Sequence, residues 1–402
     1  MCVVWLATLG LYWLSPVEIN SLTDETLAIV LGTCLSFSLG GWAAYLYYKQ
    51  LSLGHAPSRA IHKESTATEV VRLSIFALLT MMLPFYLLDF FHTASLAGIG
   101  NIFFNVRETY TEVAVSGEST PFIRQLFQPF AGYFFFLHLA VRRDSRRDRL
   151  MTIGASALAV LGVLLTTGRT GFVTLGLGYL FIEYARQRKI GLKFFWVSFM
   201  LLCVMSVMFF VAKNVAVEHN TSATLALLRD HIFEYVAGPL AAFDKVVHGE
   251  GAGYNHTLSS FYRFSNQFLG TAFPLPPVID EYVFVPFPTN VYTVLKFFYL
   301  DFGMWGLFGV MFGIGLIQTY IYYRAVDRDP LYIVFYAVLI YPLIIIFFDD
   351  YYGQIIGYAK IYILLLLYFR LLRIIESRGK AKGLKRRICQ NGYSEGNAGP
   401  GK

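Results

Sequence analysis

Between two apolar stretches lies Thr166-Thr167-Gly168-Arg169-Thr170-Gly171, where small residues leave backbone amides uncovered beside one guanidinium. A guanidinium makes paired, charge-assisted hydrogen bonds to phosphate oxygens, and uncovered amides add to them. The competing reading is an interfacial arginine snorkelling from a tight turn. A hairpin turn alone has no need of a charge, which favours the anion ligand.

Further along, His256-Thr257-Leu258-Ser259-Ser260-Phe261-Tyr262-Arg263 sets a histidine and an arginine seven apart, on one face if the segment is helical. His256 is then either a general base near neutral pH or an ordinary surface histidine, and Arg263 is an anion ligand. Tyr235-Val236-Ala237-Gly238-Pro239 through Phe243-Asp244 reads as a helix interrupted at Gly-Pro. Pro288-Thr289-Asn290-Val291-Tyr292-Thr293 leads into a helix carrying Asp301, Gly303 and Gly306. Asn290 as its cap would leave an anion site at the helix start. Asp301 lies in an apolar stretch and is either salt-bridged or part of a site. Lys360, with Asp349 and Asp350 nearby, poses the same choice.

The elements that position these residues follow from composition. Of the 402 residues 56% are hydrophobic and 15% charged, and the mean hydropathy is +0.53, values of a chain whose solvent is lipid. A crossing takes about 20 apolar residues. Such windows fall at 1–15, 26–48, 71–91, 121–141, 150–167, 171–186, 191–212, 291–323, 330–348 and 354–375. The fold expected is therefore an all-α, polytopic membrane bundle of about ten spans, the first of them short. The 291–323 window exceeds one crossing, so its first turns tilt or lie outside the membrane.

Charge orients the bundle. Placing both termini in the cytoplasm puts there the loops with Lys49, Arg59, Lys63 and Arg72, with Arg142 to Arg149, with Arg186 to Lys193, and with Arg324 and Arg328. The basic tail at 376–402 joins them. This accounts for the net charge of +7 without nucleic acid. On the opposite side falls the long segment 213–290, dividing helices in 1–212 from helices in 291–375. It is rich in aromatics, and its prolines make its second half extended. Cations on that side oppose the bias, so Arg169, Lys213, Arg229, Arg263, Arg107 and Arg124 are functional candidates. Of the four cysteines, Cys34 and Cys203 lie in apolar windows, and no disulfide framework is expected. No P-loop, dinucleotide fingerprint, HExxH or CxxC spacing occurs, nor a DxD cluster on the outer side, so the sequence supports neither a metal nor another cofactor.

Three stretches together, Thr167-Gly168-Arg169-Thr170-Gly171, Glu234-Tyr235 through Gly238-Pro239 to Phe243-Asp244, and Thr289-Asn290-Val291-Tyr292-Thr293 followed by Asp301-Phe302-Gly303 and Gly306, resemble the bacterial O-antigen polymerases, the Wzy-type oligosaccharide repeat-unit polymerases. The topology is similar across most of the chain. The resemblance implies a multi-pass inner-membrane glycosyltransferase. It would take the growing glycan from undecaprenyl pyrophosphate and join it to the next lipid-linked oligosaccharide on the periplasmic face, with a Wzz-type co-polymerase as partner. Such chemistry needs outer-face cations, a base and an aromatic sugar surface. Arg169, Arg263, Arg229 and Lys213 are candidates for the pyrophosphate, and His256, Asp301, Glu234 or Asp244 for the base. Tyr235, Asn290 and Tyr292 are candidates for the glycan. The rivals are an O-antigen ligase, which shares the donor, and a lipid-linked sugar flippase, which would line a central path with polar groups. Lys360→Ala is expected to lower the protein's level in the membrane; full-length, stable but inactive protein would place Lys360 in the mechanism instead.

Overall fold

The computed structural model describes residues 1–15, 19–53, 66–97, 122–141, 145–165, 169–187, 191–192, 221–249, 265–266, 269–274, 282–285, 287–327 and 329–347, with isolated positions elsewhere. In chain order the elements are α1 (Cys2–Trp13), α2 (Asp24–Leu53), α3 (Thr66–Ala97), α4 (Phe122–Val141), α5 (Arg146–Leu165), α6 (Arg169–Gln187), α7 (Thr221–Val247), β1 (Val283–Phe284), β2 (Pro288–Thr289), α8 (Val294–Val326) and α9 (Pro330–Ile344). The chain is mostly helical. Asp24–Leu51, Arg72–Ser95, Arg146–Leu165 and Val294–Val326 are long and apolar enough to cross a membrane, which fits an all-α membrane protein. Cys2–Trp13, Leu126–Val141 and Pro330–Ile344 are apolar but shorter.

Helix direction is fixed by which residues meet. α2 and α8 run parallel, since Phe308 closes on Gly32, Gly315 on Phe37 and Tyr323 on Tyr45. α4 and α6 are parallel as well, Gly132 facing Leu175 and Gly178 facing Phe136, while α9 opposes them by laying the Ala337 carbonyl against Gly178. α5 is antiparallel to α4 and parallel to α3: His138 Nε2 is 3.0 Å from Thr152 Oγ1, and Tyr86 donates to the Gly162 carbonyl at 2.9 Å. From α3 to α6 the helices therefore alternate in direction.

The helix ends therefore gather into two layers. One, called lower here, holds Arg72, Asp148, Arg186, Arg324 and Asp327. Arg72 meets Asp148 at 3.4 Å with both side chains nearly buried, and Asp148 stands in the first turn of α5, where an acid complements the helix dipole. Arg186 donates to the Leu139 carbonyl at 2.8 Å, Tyr48 donates to Asp327, and Asp329 caps α9 ahead of Pro330. The upper layer holds the starts of α2, α4, α6 and α8 and the ends of α5 and α9. The chain from Arg186 to Asp244 passes from the lower layer to the upper.

Three sequence expectations change. α1 has 12 residues, about 18 Å of helix, and Cys2 Sγ reaches only the Cys34 carbonyl (3.6 Å) and Ser38 Oγ (3.2 Å), midway along α2. It covers the upper half of the bundle rather than spanning 1–15 as a full crossing. The Gly238-Pro239 pair does not interrupt α7, which runs through Pro239. Burial of Leu240, Ala241, Ala242, Phe243 and Val246 against α1, α2 and α8 outweighs the lost backbone donor. The long 291–323 window is resolved by Gly303 (φ 66°, ψ −175°), which breaks α8 into a short piece, Val294 to Phe302, buried over its first five residues, and a long span beyond. Before α8 the antiparallel β1–β2 pair sets Val283 opposite Thr289 and Phe284 opposite Pro288.

Backbone contact between α2 and α8 leaves no room for side chains: a Cβ on Gly40 would strike the Phe312 carbonyl oxygen, and one on Gly315 the Phe37 carbonyl oxygen. Gly40→Leu and Gly315→Leu are each expected to cost more than about 2 kcal/mol and to lower the yield of folded protein in detergent. Gly309→Ala, where a Cβ meets nothing within 4 Å, should behave as wild type in the same thermal melt.

Candidate functional site

The upper layer contains a pocket of about 130 Å³ among α4, α5, α6 and α9. Gln128 and Tyr133, Val163, Thr170 and Thr174, and Tyr341 are among its walls. Pro129 and Pro342 lie within the helices that flank it, and Pro342, having no N–H, withdraws the helical donor from the Val338 carbonyl on the same wall. Thr170 and Gly171, the last two residues of the Thr-Gly-Arg-Thr-Gly motif, line this pocket. Arg169 is the first residue of α6, so the positive end of that helix opens here. Gly171 allows Val163 of α5 to close to within about 3 Å of where a Cβ would stand. Thr174 donates to the Thr170 carbonyl at 2.9 Å and knits the first turn.

Four residues beyond Pro342, the Ile346 carbonyl accepts the Val294 N–H at 3.3 Å, fixing the start of α8 beside the end of α9. α7 is pinned to this layer by Asp244. Its Oδ1 accepts from the Thr23 amide at 2.9 Å and the Thr23 hydroxyl at 2.7 Å, and Thr23 Oγ1 accepts the Thr26 amide at 3.4 Å. Thr23 thus caps α2 while handing its own proton to Asp244. Burial acts to raise the Asp244 pKa, but hydrogen bonds from Thr26 and Thr23 and the nearby His248 outweigh it and hold the carboxyl below its ordinary range. His248 Nδ1 lies 2.8 Å from the Asp244 carbonyl and 3.9 Å from Oδ2. A carboxylate so stabilised is a poor base, so Asp244, one of the acids considered for that role, acts as a structural pin.

Of the catalytic candidates, Asp301 accepts the Thr257 amide through Oδ2 at 2.7 Å, which ties α8 to the residue that follows His256 in the chain. Glu234 is half-buried on α7, ten residues before Asp244. His256, Arg263 and Lys213, together with Asp349, Asp350 and Lys360, lie outside the described residues. Arg229 is not brought to the upper layer by any described contact: it lies about 22 Å back along α7 from Asp244, is exposed, and pairs with Asp230 at 2.9 Å. Tyr235 is half-buried near the α7 turn where Gly238 admits the Phe287 ring at 3.0 Å.

Asn290 does not cap α8. Thr289 Oγ1 accepts the Val291 amide at 3.2 Å, the chain stays extended through Thr293, and Thr293 is the N-cap. Tyr292 is buried and lies under Lys296, whose Nζ is 3.5 Å from the ring centroid. Lys296 is the residue sequence reasoning passed over. A lone lysine in Val294-Leu295-Lys296-Phe297-Phe298, directly after the Asn290 to Thr293 motif, was the signal available.

The chain matches no protein-family model, no curated protein sequence and no solved structure.

Asp244 is ionised in the fold at pH values where an unfolded aspartate already takes up a proton. Its stabilisation is full above the ordinary aspartate pKa and fades as pH falls through the lower folded value. Acid titration of thermal stability should show a loss below about pH 4 that is absent in Asp244→Asn, the variant being less stable at pH 7. A variant with the wild-type acid profile would remove Asp244 from the pin.

Proposed function

We propose that this protein is an O-antigen-type polymerase of the inner membrane. It joins lipid-linked oligosaccharide repeat units by transferring the growing glycan from undecaprenyl pyrophosphate to the next lipid-borne unit. The upper layer is the periplasmic face and the lower layer, with the basic helix ends, the cytoplasmic one. The observation that supports this most is the gathering of the matched motifs at one end of the bundle. The start of α6 at Arg169, the end of α9 and the Tyr292 to Asp301 piece of α8 meet there. Lys49, Arg72, Arg147, Arg186 and Arg324 stand at the other end, as the positive-inside bias asks of a cytoplasmic face.

Group transfer from a lipid diphosphate places the leaving group at the interface, where a helix N-terminus and a guanidinium oppose its growing charge. Arg169 at the first residue of α6 supplies both. The apolar pocket behind it, with Gln128 and Thr170 at hand, suits the junction of a diphosphate with hydrocarbon. Asp301, by holding the Thr257 amide, fastens to α8 the chain that carries His256, one of the candidates for the base that takes the acceptor hydroxyl's proton. No metal enters the scheme; positive side chains and helix ends carry the charge.

Purified protein supplied with its lipid-linked repeat unit should give a ladder of products in the presence of chelator. Arg169→Ala should abolish extension, by at least about 100-fold, without loss of inserted protein, and Arg169→Lys should retain part of it. Wild-type ladders from Arg169→Ala would remove that residue from the site. In cells, loss of a polymerase leaves a single repeat unit on the lipid core, whereas loss of a ligase leaves none, and the latter result would favour the ligase reading.

A further inference from the structure

The pocket among α4, α5, α6 and α9 changes character along its length. α4 and α6 run parallel beside it, so residues four apart on each helix face it in step. On α4 these are Gln128, Gly132 and Phe136; on α6 Thr170 and Thr174 face it, and Gly178 follows one turn further. The outer end is therefore an amide and two hydroxyls, with Thr170 exposed. The inner end is the buried Phe136 ring, which closes onto Gly178. From Gln128 to Phe136 the helix rises about 12 Å, which sets the depth. The described walls carry no carboxylate and no cationic side chain, while Pro129, Val163, Leu175 and Pro342 make them mostly hydrocarbon. A phosphate would lose its water there without a counter-charge, so such walls exclude it. They admit a short length of hydrocarbon whose polar end stays beside Gln128 and Thr170.

We propose that this pocket is the subsite for the head-proximal isoprene of the lipid carrier, and that the protein reads the carrier there and not along the rest of its tail. The diphosphate stays outside, level with the start of α6, and the first branched unit enters between Gly132 and Leu175 until Phe136 stops it. Gly132 supplies the room: a Cβ there would meet Leu175 Cδ2 at 3.5 Å, an ordinary contact, and would take up space the ligand needs. Holding so short a piece lets a long tail enter and leave from the bilayer without threading through the bundle. That the hydrocarbon is polyprenyl rests on the polymerase reading; the depth of the pocket and its change from polar to apolar do not.

Binding without turnover tests it. The full chain in lipid nanodiscs is loaded with radiolabelled farnesyl diphosphate, and competitors are added at matched mole fraction in the bilayer. Geranyl diphosphate and a long polyprenyl diphosphate should compete within about threefold of farnesyl diphosphate, straight-chain dodecyl diphosphate about tenfold less well, and inorganic pyrophosphate less well still. Gly132→Ala should weaken farnesyl binding about tenfold and Gly132→Leu further, with the melting temperature of Gly132→Ala unchanged. Gly309→Ala should bind as wild type. Wild-type affinity in both Gly132 variants, equal competition by dodecyl diphosphate, or a farnesyl affinity far below that of the long polyprenyl competitor overturns the subsite. Variants that lose affinity as expected, in a protein that makes no ladder from its repeat unit, leave the subsite standing and count against the polymerase reading alone. Ladders of wild-type rate and length from Gly132→Leu do the reverse.

Discussion

The Asp244 carboxylate against Thr23 is the contact on which the upper layer depends. Without it α7 has no polar attachment to α2 among the described bonds, and α7 in turn carries Gly238, against which the β1–β2 turn closes through Phe287. The β1–β2 turn leads straight into Thr293 and the buried piece of α8. A single hydrogen-bonded carboxylate thus links α7, the capped start of α2 and, through the hairpin, the start of α8. The same bonds that make Asp244 a good pin lower its proton affinity and take it out of the chemistry.

Two apolar clusters stand on either side of this arrangement. α3, α4, α5, α6, α9 and Ala325 near the end of α8 share one, while α1, α2, α7, the rest of α8 and the hairpin share the other. α9 joins them, contributing Val338 to the first and leading to Ile346 in the second. The pocket beside α6 and the start of α8 are therefore coupled through a few residues of one helix end, and Pro342 lies among them. Outward-facing Leu78, Phe85, Leu88, Trp305 and Ile317 present the hydrocarbon expected of surfaces that meet lipid.

Much of this was legible in the sequence because lipid imposes a length on every spanning helix, so α2, α3, α5 and α8 announce themselves by uninterrupted apolar runs. Relative direction was legible from basic loops. The partnership of Asp244 with Thr23 was not, because the two are 221 residues apart and nothing local marks either as the other's partner. That the first helix is short was legible, but how far it reaches was not: only its register against Cys34 and Ser38 shows that. Asn290 looked like a cap because asparagine favours that position, yet the turn after β2 commits Thr289 to the Val291 amide and delays the helix to Val294. Lys296, a lone lysine in an apolar run, was passed over until the fold placed it on the face of Tyr292.

The account turns on the upper layer facing the periplasm. In a chain with its native cysteines replaced by serine, single cysteines at His248, exposed just after α7, and at Ser145, exposed just before α5, can be treated in intact cells with a membrane-impermeant maleimide. The account predicts labelling at 248 in intact cells and at 145 only after the membrane is permeabilised. The reverse pattern would put Asp244, the α6 start and Lys296 in the cytoplasm and contradict it.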